Sequence, residues 1–66
     1  MYKVIKSHDT GKNTELRLAQ NNQGYTVGIW DNDVKEYPMG FRLWKYDVED
    51  AEAKATAYYE KQKEQA

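Results

Sequence analysis

The chain is 66 residues long, contains no cysteine and carries a formal net charge of −1 at pH 7, ten Lys/Arg standing against eleven Asp/Glu. A chain of that length holds one domain at most, close to the lower limit for independent folding. Its composition excludes a disulfide scaffold and a thiolate zinc cage, offers no run of about twenty apolar residues to span a bilayer, and argues against a strongly electrostatic nucleic-acid binder, which would be basic.

The first element is an extended stretch over Tyr2–Ser7, closed by "HDTGKN", in which Gly11 can take the positive φ that a turn needs. The opening "MYKVIKSHD" lacks the apolar core of a secretion signal. With native-looking ends and no cysteine, the chain reads as a complete small cytoplasmic protein. The second strand is Thr14–Gln20, where Leu16 and Leu18 alternate with Glu15 and Arg17 at period two. "NNQG" supplies the next turn, and Tyr25–Trp30 is the third strand, closed by "DND". A short piece, Val34–Tyr37, precedes Pro38 and Gly40, which interrupt the ladder as a bulge or corner. The fourth strand is Phe41–Tyr46. Short loops between consecutive strands predict an antiparallel meander.

A helix then opens at Asp47, whose carboxylate can accept from first-turn amides, with Asp50 three residues on as a weak capping box. Glu49, Asp50 and Glu52 suit the positive end of its dipole, and Lys61 and Lys63 the negative end. Val48, Ala51, Ala55, Tyr58 and Gln62 recur at three and four residues and form its buried stripe. The fold expected is therefore α+β: a single domain over residues 1–66, with an antiparallel meander of three or four strands over about 2–46 and one C-terminal helix over about 47–63 packed on one face.

The two alanines bring the helix axis close to the sheet, so the sheet must supply the large apolar groups beneath. Val4, Leu16, Leu18, Val27, Ile29, Phe41 and Leu43 share one parity strand by strand and are assigned to that face. Lys3, Ile5, Glu15, Arg17, Ala19, Thr26, Gly28, Trp30, Arg42, Trp44 and Tyr46 then point away from the helix. The reverse assignment would put the aliphatic set in water, at about 1.5–3 kcal/mol for each large side chain. The binding residues expected on the helix-free face are Arg17, Trp30, Arg42, Trp44, Tyr46 and Lys3.

Catalytic and metal-binding signals are weak. "SHD" at Ser7–Asp9 looks like a triad in a row, but adjacent residues on an extended chain project to opposite sides, and a triad is assembled from separate segments. His8, the single histidine, reads as a solvated turn residue. "WDNDVKE" clusters acids, yet Lys35 and Glu36 stand where a calcium loop needs an oxygen ligand and a glycine, so it reads as an acidic turn. "TGKN" lacks the remainder of a phosphate loop. No catalytic residue, metal ligand or cofactor is assigned, and a non-enzymatic role is expected.

"GYTVGIWDND…GFRLWKYDVEDAEAKATAYYEK" resembles the DNA-binding domain of plant ethylene-response factors and the arm-binding domain of tyrosine-family integrases. The resemblance implies a three-stranded antiparallel sheet backed by a helix, with sheet Arg and Trp side chains entering a major groove; the matching positions are Arg17, Trp30, Arg42 and Trp44. The charge distribution weighs the other way. Residues 1–46 carry a net +2 and residues 47–66 a net −3, so few cations are available to neutralise phosphates. The function expected is a small binding module that engages a protein partner, a second copy included, through the helix-free aromatic and basic face. Sequence-specific DNA binding is the alternative. A chain of this size and composition also suits a phage or mobile-element accessory protein.

Overall fold

A computed structural model describes residues 2–65. Four strands, β1 (Lys3–Gly11), β2 (Thr14–Gln20), β3 (Gly24–Asp31) and β4 (Phe41–Lys45), form one antiparallel sheet in the order β1-β2-β3-β4, followed by a single helix, α1 (Ala51–Gln65). The chain is α+β, a meander with its C-terminal helix packed across one face.

Each hairpin follows from its turn residues. Lys12 and Asn13 link β1 to β2 with φ of 52° and 61°, the left-handed pair that matches the twist of a tight hairpin. Between β2 and β3 the Asn21 carboxamide oxygen accepts from the amides of Gln23 and Gly24 at 2.8 and 3.0 Å. After β3, Asp31 does the same for Asp33 and Val34, while the Asp31 amide donates to the Glu36 carbonyl at 2.9 Å. The acidic "DND" is thus a turn whose first carboxylate is spent on backbone amides. Val34–Tyr37 forms no strand, only an isolated bridge between Asp31 and Glu36.

The core lies between sheet and helix. Leu16, Leu18 and Val27 meet Ala55 and Tyr59 there, all at 2 % exposure or less, with Ile5, Tyr25, Ile29, Trp44 and Tyr58 packed around them. Ala51 and Ala55 face inward as their spacing requires, and their small side chains let the helix sit down on Leu16 and Leu18. The stripe then continues at Tyr59, one residue beyond the expected Tyr58. Steps of four from Ala51 reach Tyr59, and Tyr58 lies at the flank over β4.

Three expectations are corrected. First, the helix begins at Ala51, not Asp47: residues 46–50 form a turn in which the Val48 amide donates to the Lys45 carbonyl at 2.9 Å. Asp50 occupies the cap position at φ 56°, its carbonyl accepting the first helical bond from Lys54. Second, β1 runs on to Gly11 and contains His8, which pairs with Leu16 inside the sheet and is not a turn residue.

Third, the face assignment fails in the two outer strands. A bulge between Val4 and Lys6 shifts β1, so Val4 lies opposite Ala19 on the open face, Ile5 packs into the helix-side core, and Lys3, paired with Gln20, also falls on the helix side. In β4 the pairs Val27–Arg42 and Tyr25–Trp44 place Arg42 and Trp44 on the helix side, and Gly28–Phe41 and Thr26–Leu43 place Phe41 and Leu43 on the open face. "FRLWK" carries apolar side chains at both parities, so counting aliphatics cannot orient it. The larger Trp44 takes the place beside Tyr58.

Candidate binding surface

The face away from the helix is not bare. Gly28 sits in the middle of β3, and a Cβ there would lie 2.9 Å from both the Phe41 Cβ and the Tyr37 Cδ1. Glycine makes room for the Tyr37 ring, which the β3–β4 loop lays across the sheet. Around that ring a continuous layer forms. Arg17 lies over Trp30 at 4.5 Å, Trp30 meets Tyr37 edge to face at 5.1 Å, and Tyr37 leans on Phe41 at 5.3 Å. The Tyr2 and Tyr37 hydroxyls are 3.1 Å apart, and Arg17 donates to the Tyr2 hydroxyl at 3.4 Å. Beneath the layer, Ala19 and Thr26 are buried although they face away from the helix.

The electrostatics follow from this packing. Burial, then the hydrogen bond with Tyr2, pushes the Tyr37 phenol far above its ordinary value of 10.0. Glu15 accepts from the Arg17 guanidinium, which holds its carboxyl below the ordinary 4.5 against the opposing effect of burial, and Asn32 adds a second bond. Arg17 is therefore already engaged by Glu15, Tyr2 and Trp30. The outer rim stays apolar and open, with Tyr2 51 % and Phe41 55 % exposed.

The six expected binding residues do not share this face. Arg17 and Trp30 belong to it. Arg42 stacks on the other side, 5.5 Å from the Trp44 ring and 5.4 Å from the Tyr58 ring, with Trp44 and Tyr58 themselves 5.3 Å apart. Tyr46 stands edge-on to Tyr25 and donates to the Asn21 carbonyl at 2.6 Å, and Lys3 borders the same corner. Sequence reasoning missed Tyr37, Tyr2 and Phe41. The available signal was Gly28, a glycine inside a strand, which marks a close approach.

Ser7 and Asp9 pair with Arg17 and Glu15, while His8 between them pairs with Leu16, so the three side chains alternate across the sheet. Among the described residues no three His, Asp or Glu side chains converge as a metal site would require, and no helix is long and apolar enough to cross a membrane. No family model matches the chain, and no curated protein or solved structure matches it either.

Proposed function

We propose that the chain is a small non-enzymatic binding module, acting in the cytoplasm, that engages a protein partner through the open face of its sheet. The observation that carries this reading is the Arg17–Trp30–Tyr37–Phe41 layer. Its rings are held against one another, yet Phe41 and Tyr2 remain more than half exposed. Rigid aromatic side chains supply large contact area at low entropic cost and are enriched where proteins meet. The face carries both charge signs, with Asp9 and Glu15 near Arg17 toward one end of the sheet and Lys45 at the other. That balance suits a protein surface better than a phosphate backbone.

The DNA alternative loses support from the same geometry. A sheet inserted into a major groove would present Arg17 without Arg42, and Glu15 would sit next to it. The resemblance to sheet-reading DNA-binding domains needs both arginines and both tryptophans on one side. A photoreactive side chain at position 41 should cross-link a protein in host cells, whereas the same group at position 54, on the exposed helix surface, should not. Amide shifts should stay unchanged when duplex DNA is added at low salt. Shifts centred on Arg17 and Arg42 under those conditions would reverse the reading.

A further inference from the structure

The sheet has two edges, and they differ. β1 is bulged at Ile5 and shifts register again between Asp9 and Gly11, irregularities that discourage edge pairing. β4 is in unbroken register with β3 and lies at the other edge. The Tyr46 amide donates to the Gln23 carbonyl, so by alternation Arg42 and Trp44 turn their backbone groups toward β3. Phe41, Leu43 and Lys45 turn theirs outward, the Lys45 carbonyl alone being taken by the Val48 amide at 2.9 Å.

The strand is also complementary to itself. Run antiparallel to a second "FRLWK" about a two-fold axis at Leu43, each Phe41 faces Lys45 of the second copy, each Arg42 faces Trp44, and the two Leu43 side chains meet. Every cation stands opposite an aromatic ring and no like charges oppose. Outward-facing residues also meet outward-facing residues, as ladder hydrogen bonds require. Moving the register two residues one way sets Arg42 against Arg42; moving it the other way leaves Phe41 without a partner.

We propose that β4 pairs in this register with β4 of a second copy, joining two four-stranded sheets into one of eight strands. The two aromatic layers then lie side by side on one continuous face. This pairing uses the strand edge and does not depend on what the open face binds. A five-residue contact is short, so the dimer forms at high protein concentration and dissociates on dilution.

Because the chain has no cysteine, single substitutions report the register directly. Across the axis the two Leu43 Cα atoms would be about 5.5 Å apart, within disulfide range. The corresponding Phe41 or Lys45 pairs would be roughly 14 Å apart. In a glutathione buffer Leu43→Cys should form a disulfide dimer at least about tenfold faster than Phe41→Cys or Lys45→Cys. Sedimentation equilibrium of the unmodified chain near millimolar concentration should show dimer. Leu43→Pro, which removes an outward amide that β3 does not use, should be monomeric with unchanged circular dichroism. Should that variant fail to fold, Leu43→Lys places two like charges on the axis and should be monomeric in its stead. A strict monomer at millimolar concentration, or equal disulfide rates at the three positions, overturns the proposal. So does fastest coupling through Val4→Cys, which would mean that two open faces meet and would leave the open-face reading standing.

Discussion

The two faces of this sheet are built by different means. On the helix side, aliphatic side chains of the two central strands meet two alanines and a tyrosine of α1, and burial is nearly complete. On the open side a loop tyrosine seated over a glycine organises a layer of rings around an arginine, and Tyr2 and Phe41 at its rim are more than half exposed. The first face closes by volume and tolerates little change. The second is held by ring contacts, a cation–π stack and one shared pair of hydroxyls, so its parts can be removed one at a time. A chain this short has little interior, and the aromatic layer gives it a second, smaller one whose rim, at Tyr2 and Phe41, stays exposed.

Substitutions that strike one face and spare the other should separate the two. Ala55→Lys, at a position with 0 % exposure, sets an unpaired charge under the helix and should abolish the cooperative melt, a loss above about 4 kcal/mol. Gly28→Val strikes only the open face: its Cβ displaces Tyr37, costing about 1–3 kcal/mol. Ring contacts between Tyr37 and Trp30 should vanish from the proton spectrum, whereas those of Tyr59 in the core persist.

Tyr37→Phe should cost about 0.5–1.5 kcal/mol at neutral pH through loss of the Tyr2 hydrogen bond. Its pH signature is the sharper test. The folded state holds the Tyr37 proton more tightly than the unfolded chain, so this stabilisation is complete below the ordinary phenol value of 10.0 and is lost as pH rises above it. Alkaline melting curves of the variant should therefore be flatter above pH 10 than those of the unmodified protein. The smallest effect is at Glu15→Gln, within about 1 kcal/mol near neutrality. The Glu15 carboxyl is depressed by Arg17, so its contribution is present above the ordinary value of 4.5 and disappears as pH falls through its lower folded value. Acid titrations of the two proteins should converge at the bottom of that range.

Much of the fold was legible. The meander, the hairpin turns, the inward alanines and the shared face of Leu16, Leu18, Val27 and Ile29 all follow from alternation in strands whose apolar residues sit at one parity. The outer strands defeated the same reasoning for separate reasons. In β1 one extra residue at Ile5 flips what precedes it, and nothing in "YKVIKS" marks the bulge. In β4 apolar residues occupy both parities because both faces have an apolar layer to receive them. Asp47 suggests a helix start because a carboxylate there can cap the first turn; the Lys45–Val48 hydrogen bond instead closes a turn, and the helix begins at Ala51. Neighbouring Tyr58 and Tyr59 could each continue the stripe, and the position of Trp44 decides between them. Of the expected binding residues, Arg17 and Trp30 fall within the open-face layer, whereas Arg42, Trp44, Tyr46 and Lys3 lie on the helix side.

The division of aromatic side chains between the two faces is the claim on which the rest depends. Proton–proton contacts in a two-dimensional Overhauser spectrum of the folded chain test it most directly. Contacts are expected from the Trp44 indole to the Tyr58 ring, and from the Tyr37 ring to the Gly28 α-protons and the Phe41 ring, with none between Trp44 and Trp30. Contacts joining Trp44 to Trp30, with the Phe41 ring against Ala55, would contradict it.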